Sequence, residues 1–267
     1  MKLCSLRSSS KGNSILISTN KTKLLVDCGI SGKAAESSLF EVGVNPEELS
    51  GIFVTHEHTD HIKGVGILSR RYSLPVFANF KTWSAMEGDL GKIAKENIMI
   101  IDREVQVGDI EVKGFSISHD AADPMGYSFS HKNKKVSVAT DIGILEKDLF
   151  SALKGSGVVL LEANHDRNML EIGSYPFPLK QRIRGERGHL SNDEAGKAAE
   201  FLIKMGTTKI LLGHLSQENN YPLLAKQTVE NILNEAGMKK DKDFILDVAP
   251  REEISRIFEI SILKNAL

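Results

Sequence analysis

Three imidazoles and two carboxylates fall within the six residues His56-Glu57-His58-Thr59-Asp60-His61. Neutral imidazole and carboxylate are the groups that hold zinc and similar first-row cations. His56 and His58, two apart in an extended segment, can point the same way toward one ion, and a turn after them can swing Asp60 and His61 toward a second. A solvated, histidine-rich turn is the bland alternative. The chain has only eight histidines, however, and three are packed here, which favours a loop built for metal.

Such a loop needs rigid elements behind it. The apolar run Gly51-Ile52-Phe53-Val54-Thr55 reads as a buried strand leading into the histidines, with a helix after them. The HxHxDH pattern resembles the signature of the metallo-β-lactamase-fold hydrolases, and the partner residues that this resemblance implies also stand at strand ends. Asp27 closes Lys23–Val26, His119 follows the alternating segment 110–118, Asp141 ends Val136–Thr140, and His214 follows Lys209–Gly213.

With these partners in order, the resemblance implies an α/β fold, the αββα sandwich of two mixed β-sheets flanked by helices, covering nearly the whole chain. It implies two divalent metal ions. His56, His58 and His119 would hold one, Asp60, His61 and His214 the other, with Asp141 bridging and Asp27 supporting the loop without being a ligand. Zinc suits the histidine-rich set best, with manganese the alternative for mixed nitrogen and oxygen ligands.

At 267 residues the chain is long enough for one large domain, and no composition break divides residues 1–267. A formal net charge of -1 means that nucleic-acid affinity, if present, must come from local clustering. Two cysteines, Cys4 and Cys28, are too few for a disulfide framework and fit a reducing compartment. The first residues lack the apolar run of a signal peptide, and nowhere do eighteen apolar residues run together for a membrane span. A cytoplasmic protein with no membrane partner is expected, which counts against an antibiotic-degrading β-lactamase.

Taken in order, strands are expected at 2–6, 14–18 and 23–27, helices at 33–42 and 64–72, a strand at 74–78, a short helix at 82–87 and a strand at 98–101. A meander follows at 110–118, 126–131 and 135–140, then a helix at 145–153 and a buried strand at 158–161. A helix capped by Ser191 or Asn192 should run to about Lys204, and another from Tyr221 to Gly237, before closing strands at 243–248 and 252–258.

Three polar segments bear on substrate. The turn Arg7-Ser8-Ser9-Ser10-Lys11-Gly12-Asn13-Ser14 is either a plain hairpin or a phosphate cradle to which Asn13 contributes. Glu162-Ala163-Asn164-His165-Asp166 either starts a helix or brings His165 to the substrate. Residues 174–192, read as an irregular loop, carry Lys180, Arg182, Arg184 and Arg187 close to Tyr175 and Phe177, a pattern that suits a phosphate backbone as well as a solvated loop. His189, just before a helix start, is placed to meet a phosphate oxygen.

Gly188-His189-Leu190-Ser191 upstream of Gly213-His214-Leu215-Ser216 resembles the ribonuclease Z-like phosphodiesterases, and the segments around Glu162 and His189 look like the WalJ/YycJ-type group, associated with 5′-to-3′ exonuclease action on double-stranded DNA. Arg7 and Lys11 stand where small residues are usual in that group. The resemblance implies a dinuclear phosphodiesterase acting on DNA through a metal-activated hydroxide, with Asp60 orienting the nucleophile and His189 stabilising charge on the scissile phosphate. The alternative is a small-molecule hydrolase of the same fold, a cyclic-phosphate phosphodiesterase or a thioesterase. A regulatory protein with structural metals is a third reading, disfavoured because structural zinc sites close their coordination. Oligomeric state is not readable from the sequence.

Overall fold

The computed structural model describes residues 1–260. The first half supplies β1 (Lys2–Ser9), β2 (Gly12–Ser18), β3 (Lys23–Val26), β4 (Gly51–Phe53), β5 (Val76–Ala78) and β6 (Ile98–Ile100) to one sheet. The second half supplies β7 (Glu104–Val107), β8 (Ile110–Ser116), β9 (Met125–His131), β10 (Lys134–Ala139), β11 (Val158–Glu162), β12 (Lys209–Gly213) and β13 (Ile245–Val248) to another. A last strand, β14 (Phe258–Glu259), returns to the first sheet beside β1.

Both sheets are mixed in the same way. Strands β1 to β3 are antiparallel and β3 to β6 parallel; β7 to β10 are antiparallel and β10 to β13 parallel. The parallel strands are apolar on both faces, as they must be when each face is covered. In β11, Val158 and Leu160 point between the sheets while Val159 and Leu161 point to the outer helices. Phe53, Tyr127 and Phe129 fill the space between the sheets, Phe53 meeting Tyr127 edge-on with ring centroids 5.3 Å apart.

Outside the first sheet lie α1 (Gly32–Glu41), α2 (Thr59–Ile62), α3 (Val65–Tyr72) and α4 (Phe80–Leu90). Outside the second lie α5 (Lys147–Leu153), the short α6 (Arg167–Ile172) and α7 (Phe177–Ile183), then α8 (Asn192–Lys204) and α9 (Pro222–Glu235). This is the αββα sandwich expected from the sequence. Helix α8 starts at a full capping box: the Ser191 hydroxyl accepts from the Glu194 N–H, and the Glu194 carboxylate accepts from the Ser191 N–H.

Two expectations, at 174–192 and 252–258, need correction; the helix-start reading of the segment ending at Asp166 holds, and one strand is added. Residues 177–183 form a helix rather than irregular loop, with Pro178 in the first turn, where a missing N–H costs nothing. Arg167–Ile172 is also helical, capped by Asp166. Glu104–Val107 is an edge strand that alternates exposed and half-buried residues, too polar to stand out. The expected strand at 252–258 shrinks to Phe258–Glu259: Glu252 and Glu253 face solvent, and Ser255 meets β1 at Ser5 alone, its N–H donating to the Ser5 carbonyl at 2.8 Å while its hydroxyl accepts from the Ser5 N–H at 2.9 Å.

Candidate metal centre

Apart from α2, which carries Asp60 and His61, and the loop at His189, the centre is reached by the carboxyl ends of strands, where open α/β sheets place their ligands. Asp27 follows β3, Thr55 and His56 follow β4, Asp141 follows β10, Glu162 ends β11 and His214 follows β12. Asp27, Asp141 and His214 have positive φ angles of 59°, 62° and 56°. Such a conformation costs a non-glycine residue about 1–3 kcal/mol and persists only where surrounding contacts enforce it. Here it turns each side chain abruptly off the strand into the site. The histidine loop is held from behind as well: a Cβ on Gly29 would lie 1.5 Å from the Asp60 carbonyl oxygen, so only glycine lets the two backbones pack this closely.

The donor atoms converge. His56 Nε2 and His58 Nδ1 are 3.0 Å apart and group with His119. His61 Nε2 and His214 Nε2 lie 3.5 and 3.6 Å from Asp60 Oδ2. Asp141 stands between the two groups, with Oδ1 3.8 Å from His119 Nε2 and 3.4 Å from His214 Nε2, and Oδ2 3.4 Å from His61 Nε2. All seven residues expected to ligate metal are thus brought together by the fold.

Behind these atoms the outward nitrogens are engaged. His56 Nδ1 meets Thr55 Oγ1 at 3.0 Å, His61 Nδ1 donates to Asp27 at 2.8 Å, His119 Nδ1 to the Gly188 carbonyl at 3.2 Å, and His214 Nδ1 to Glu162 at 2.8 Å. Such partners fix ring orientation and leave the Nε2 lone pair aimed inward, as metal-ligating histidines require. Asp27 also accepts from the Thr55 N–H and hydroxyl, at 2.8 and 2.9 Å, so it organises the loop from the side away from the centre.

Electrostatics and unpaired atoms show that cations fit. Burial alone would lower the pKa of His61, but Asp141, Asp27 and Asp60 outweigh it and hold it well above the ordinary value. His214 is raised to about 10 against its burial, chiefly by Asp141. His56 and His119 are instead lowered, by burial first, and stay neutral as ligands must. Asp60 is held far below the carboxylate range because His61 and His214 overcome its desolvation. The carboxylates therefore attract positive charge, and divalent ions would take the place of the imidazolium protons. Asp141 Oδ2 and His214 Nε2 are buried acceptor sites with no hydrogen-bond partner among the described residues.

Glu162 is the residue the sequence reading did not single out. It is fully buried, and accepts hydrogen bonds from the Asp141, Ile142 and Leu190 N–H groups at 3.2, 2.8 and 3.0 Å and from His189 Nδ1 at 2.9 Å, besides His214. Burial would raise its carboxyl, but His189 and His214 drive it well below the usual range. Its sequence signal was a carboxylate ending an otherwise apolar strand.

Expected substrate contacts divide. His189 lines an open cavity beside the centre, and Arg182 lines it too while pairing with Asp120. Arg187 turns inward and donates to the His119 carbonyl at 3.1 and 3.0 Å. Lys180 donates to the Glu171 carbonyl at 2.6 Å, and Arg184 to its carboxylate at 2.7 Å, so both are engaged away from the cavity. Two candidates are corrected by burial. Asn13 is 1 % exposed, its amide 3.0 Å from the Ser9 carbonyl and 3.4 Å from the Asp60 carbonyl, which makes it a brace for the loop tip. His165, at 2 % exposure, is enclosed behind the cavity, where its backbone carbonyl accepts from the Asn192 N–H at 2.8 Å.

The strand-end histidine and aspartate centre inside an αββα sandwich defines a class. The pattern described as the Beta-lactamase superfamily domain matches residues 22–215, and the chain belongs to that family, as a metal-dependent hydrolase. The chain is 43% identical over 249 residues to the exodeoxyribonuclease YycJ of Bacillus anthracis, covering 92% of this chain and 94% of that protein. It is 42% identical over 250 residues to the exodeoxyribonuclease WalJ of Streptococcus pneumoniae serotype 2, covering 92% and 93%. Among solved structures it shares the fold of the metallo-β-lactamase fold protein YhfI from Bacillus subtilis, with a TM-score of 0.70 at 17% identity over 95% of this chain and 98% of that one.

Proposed function

We propose that the protein is a dinuclear-metal phosphodiesterase acting as a DNA exonuclease, 5′-to-3′ on double-stranded DNA. The observation that carries this is the pair of ligand groups joined by Asp141 beside a cavity lined by His189 and Arg182. Exodeoxyribonuclease relatives that align over most of the chain support the substrate.

In this reading His56, His58 and His119 would hold one ion and Asp60, His61 and His214 the other, with Asp141 placed between the two groups. Bound divalent ions, zinc first and manganese second, supply Lewis-acid stabilisation of a phosphoryl oxygen and lower the pKa of water. The protein's own groups do the rest. Asp60 orients the nucleophile and accepts its proton. Glu162 fixes the His189 ring through Nδ1, so that its other nitrogen faces the charge developing on the scissile phosphate. Asp27 and Thr55 keep the histidine loop in register.

The single domain of residues 1–267 and a cytoplasmic setting belong to the same proposal. Both cysteines are free and buried, which suits a reducing compartment, and no helix among the described residues is long and apolar enough to cross a membrane. A small-molecule hydrolase is the second reading, favoured by the modest size of the cavity beside the centre, about 320 Å³. Incubating the metal-loaded protein with end-labelled duplex DNA, single strands, RNA, bis(p-nitrophenyl) phosphate and a thioester separates the two. Progressive shortening of the duplex is expected; cleavage of the thioester with every phosphodiester untouched refutes the nuclease.

A further inference from the structure

The cavity beside the centre is small and open to solvent on one side. Its volume of about 320 Å³ is at the small end for ligand sites, which run from about 300 to 1,000 Å³. One side is Tyr175, Leu179 and Ile183, half-buried apolar surface at and beside α7. The opposite rim is the Ser10–Lys11 turn between β1 and β2, together with Gln217 and Glu218 beyond His214. Its floor is His189 with Asp120, whose Oδ1 lies 3.3 Å from His119 Nε2, so the seat opens directly onto the metal ligands.

The charges on the walls are specific. Arg182 is neutralised by Asp120, and the Glu218 carboxylate accepts from the Ser174 hydroxyl. The Lys11 ammonium has no ion-pair or hydrogen-bond partner among the described residues, which leaves it as the cation available to an anionic ligand. An aromatic ring and two aliphatic side chains facing an unpaired lysine across a space for one planar group is a chemistry that takes a nucleotide: the base against the apolar wall, the phosphate toward the lysine and the centre.

We propose that this cavity seats the single terminal nucleotide of the strand being digested, so that mononucleotides are released. The proposal rests on the exonuclease reading above. A larger groove, about 770 Å³, lies across the molecule between Phe80 and Glu146, but it contains none of the metal-ligating residues and its lining carries Asp102, Asp123, Glu146 and Asp148 against Lys81 and Arg103, an acidic surplus unsuited to DNA.

The test uses the full metal-loaded chain on duplex DNA with natural ends and on the same duplex with fluorescein attached to the terminal base. Natural ends should yield mononucleotides, and the adduct should slow release of the first nucleotide at least tenfold. Leu179→Trp and Ile183→Trp, which fill the seat, should each slow digestion of natural ends at least tenfold with melting temperature and metal content retained. Adduct and natural ends digested at one rate, filled variants as fast as the parent, or oligonucleotide products would overturn the seat. If the parent protein digests no DNA at all, the exonuclease reading fails, and calorimetric titration with deoxyadenosine monophosphate decides the seat separately. Binding that Leu179→Trp abolishes keeps it as a nucleotide site; absence of binding to the parent removes it.

Discussion

The strand-end centre and helix α7 lie on either side of His189, yet they are built in opposite ways. At the centre most side chains are buried and over-determined: Glu162 alone accepts from three backbone N–H groups and two imidazoles. Along α7 no residue is buried, Phe177 is 61 % exposed, and the helix is held mainly by Arg182 to Asp120 and by Lys180 and Arg184 to Glu171. Chemistry that needs positions held to a fraction of an ångström is assigned to the buried network. Selection of what enters is assigned to an exposed wall whose ion pairs are weak and screened by salt.

The contrast predicts graded effects. Asp60→Ala should have the largest, roughly a 10³-fold loss of DNA hydrolysis, because it removes a ligand and the group that handles the nucleophile's proton. Residual cleavage near the parent rate would show either a contaminating nuclease or a wrong role. Next comes the dependence of stability on pH. Burial pushes His165 down to about 4 from its ordinary 6.5, against the pull of Glu162. A histidine buried neutral contributes stability that is complete above 6.5 and is lost as pH falls toward 4, about 3 kcal/mol in all. Urea unfolding of the parent and of His165→Gln between pH 7 and pH 4 should therefore diverge on the acid side; parallel curves would place the imidazole in water.

Glu162→Gln keeps the shape but removes the charge behind His214 and His189, and metal affinity should fall about 10- to 100-fold. Competition against a chelator measures it, and an unchanged affinity would reduce Glu162 to a space-filler. The smallest effect belongs to α7. Arg182→Ala, whose guanidinium lines the cavity but is already paired with Asp120, should lower the salt slope of DNA binding by less than about 1, with metal content intact. Arg184→Ala, already paired with Glu171 away from the cavity, should do less. Equal effects would mean that the duplex crosses the whole helix.

How far each region could be read from the sequence follows the same division. The histidine loop was legible because its spacing is local, and the strands around it because apolar runs bounded by polar residues admit few alternatives. Asp27, Asp141 and His214 were found as the partners that the family resemblance implies, each at a strand end, although their left-handed backbone turns were not. Glu162 was only part of a polar cluster, since its role comes from partners 20 to 52 residues away, which no local pattern encodes. Residues 177–183 gave no amphipathic stripe because nothing there is buried, so the helix was hidden behind its charges and prolines. Those same charges looked free, while the structure engages Arg182 with a residue 62 positions away and Arg187 with one 68 away.

The central claim is a centre for two ions joined by Asp141. The metal-to-chain ratio, measured by inductively coupled plasma mass spectrometry after loading with zinc or manganese and desalting, tests it directly. The account predicts two ions per chain for the parent and fewer than two for Asp141→Ala; one ion or none in the parent, or an unaltered two in the variant, would contradict it.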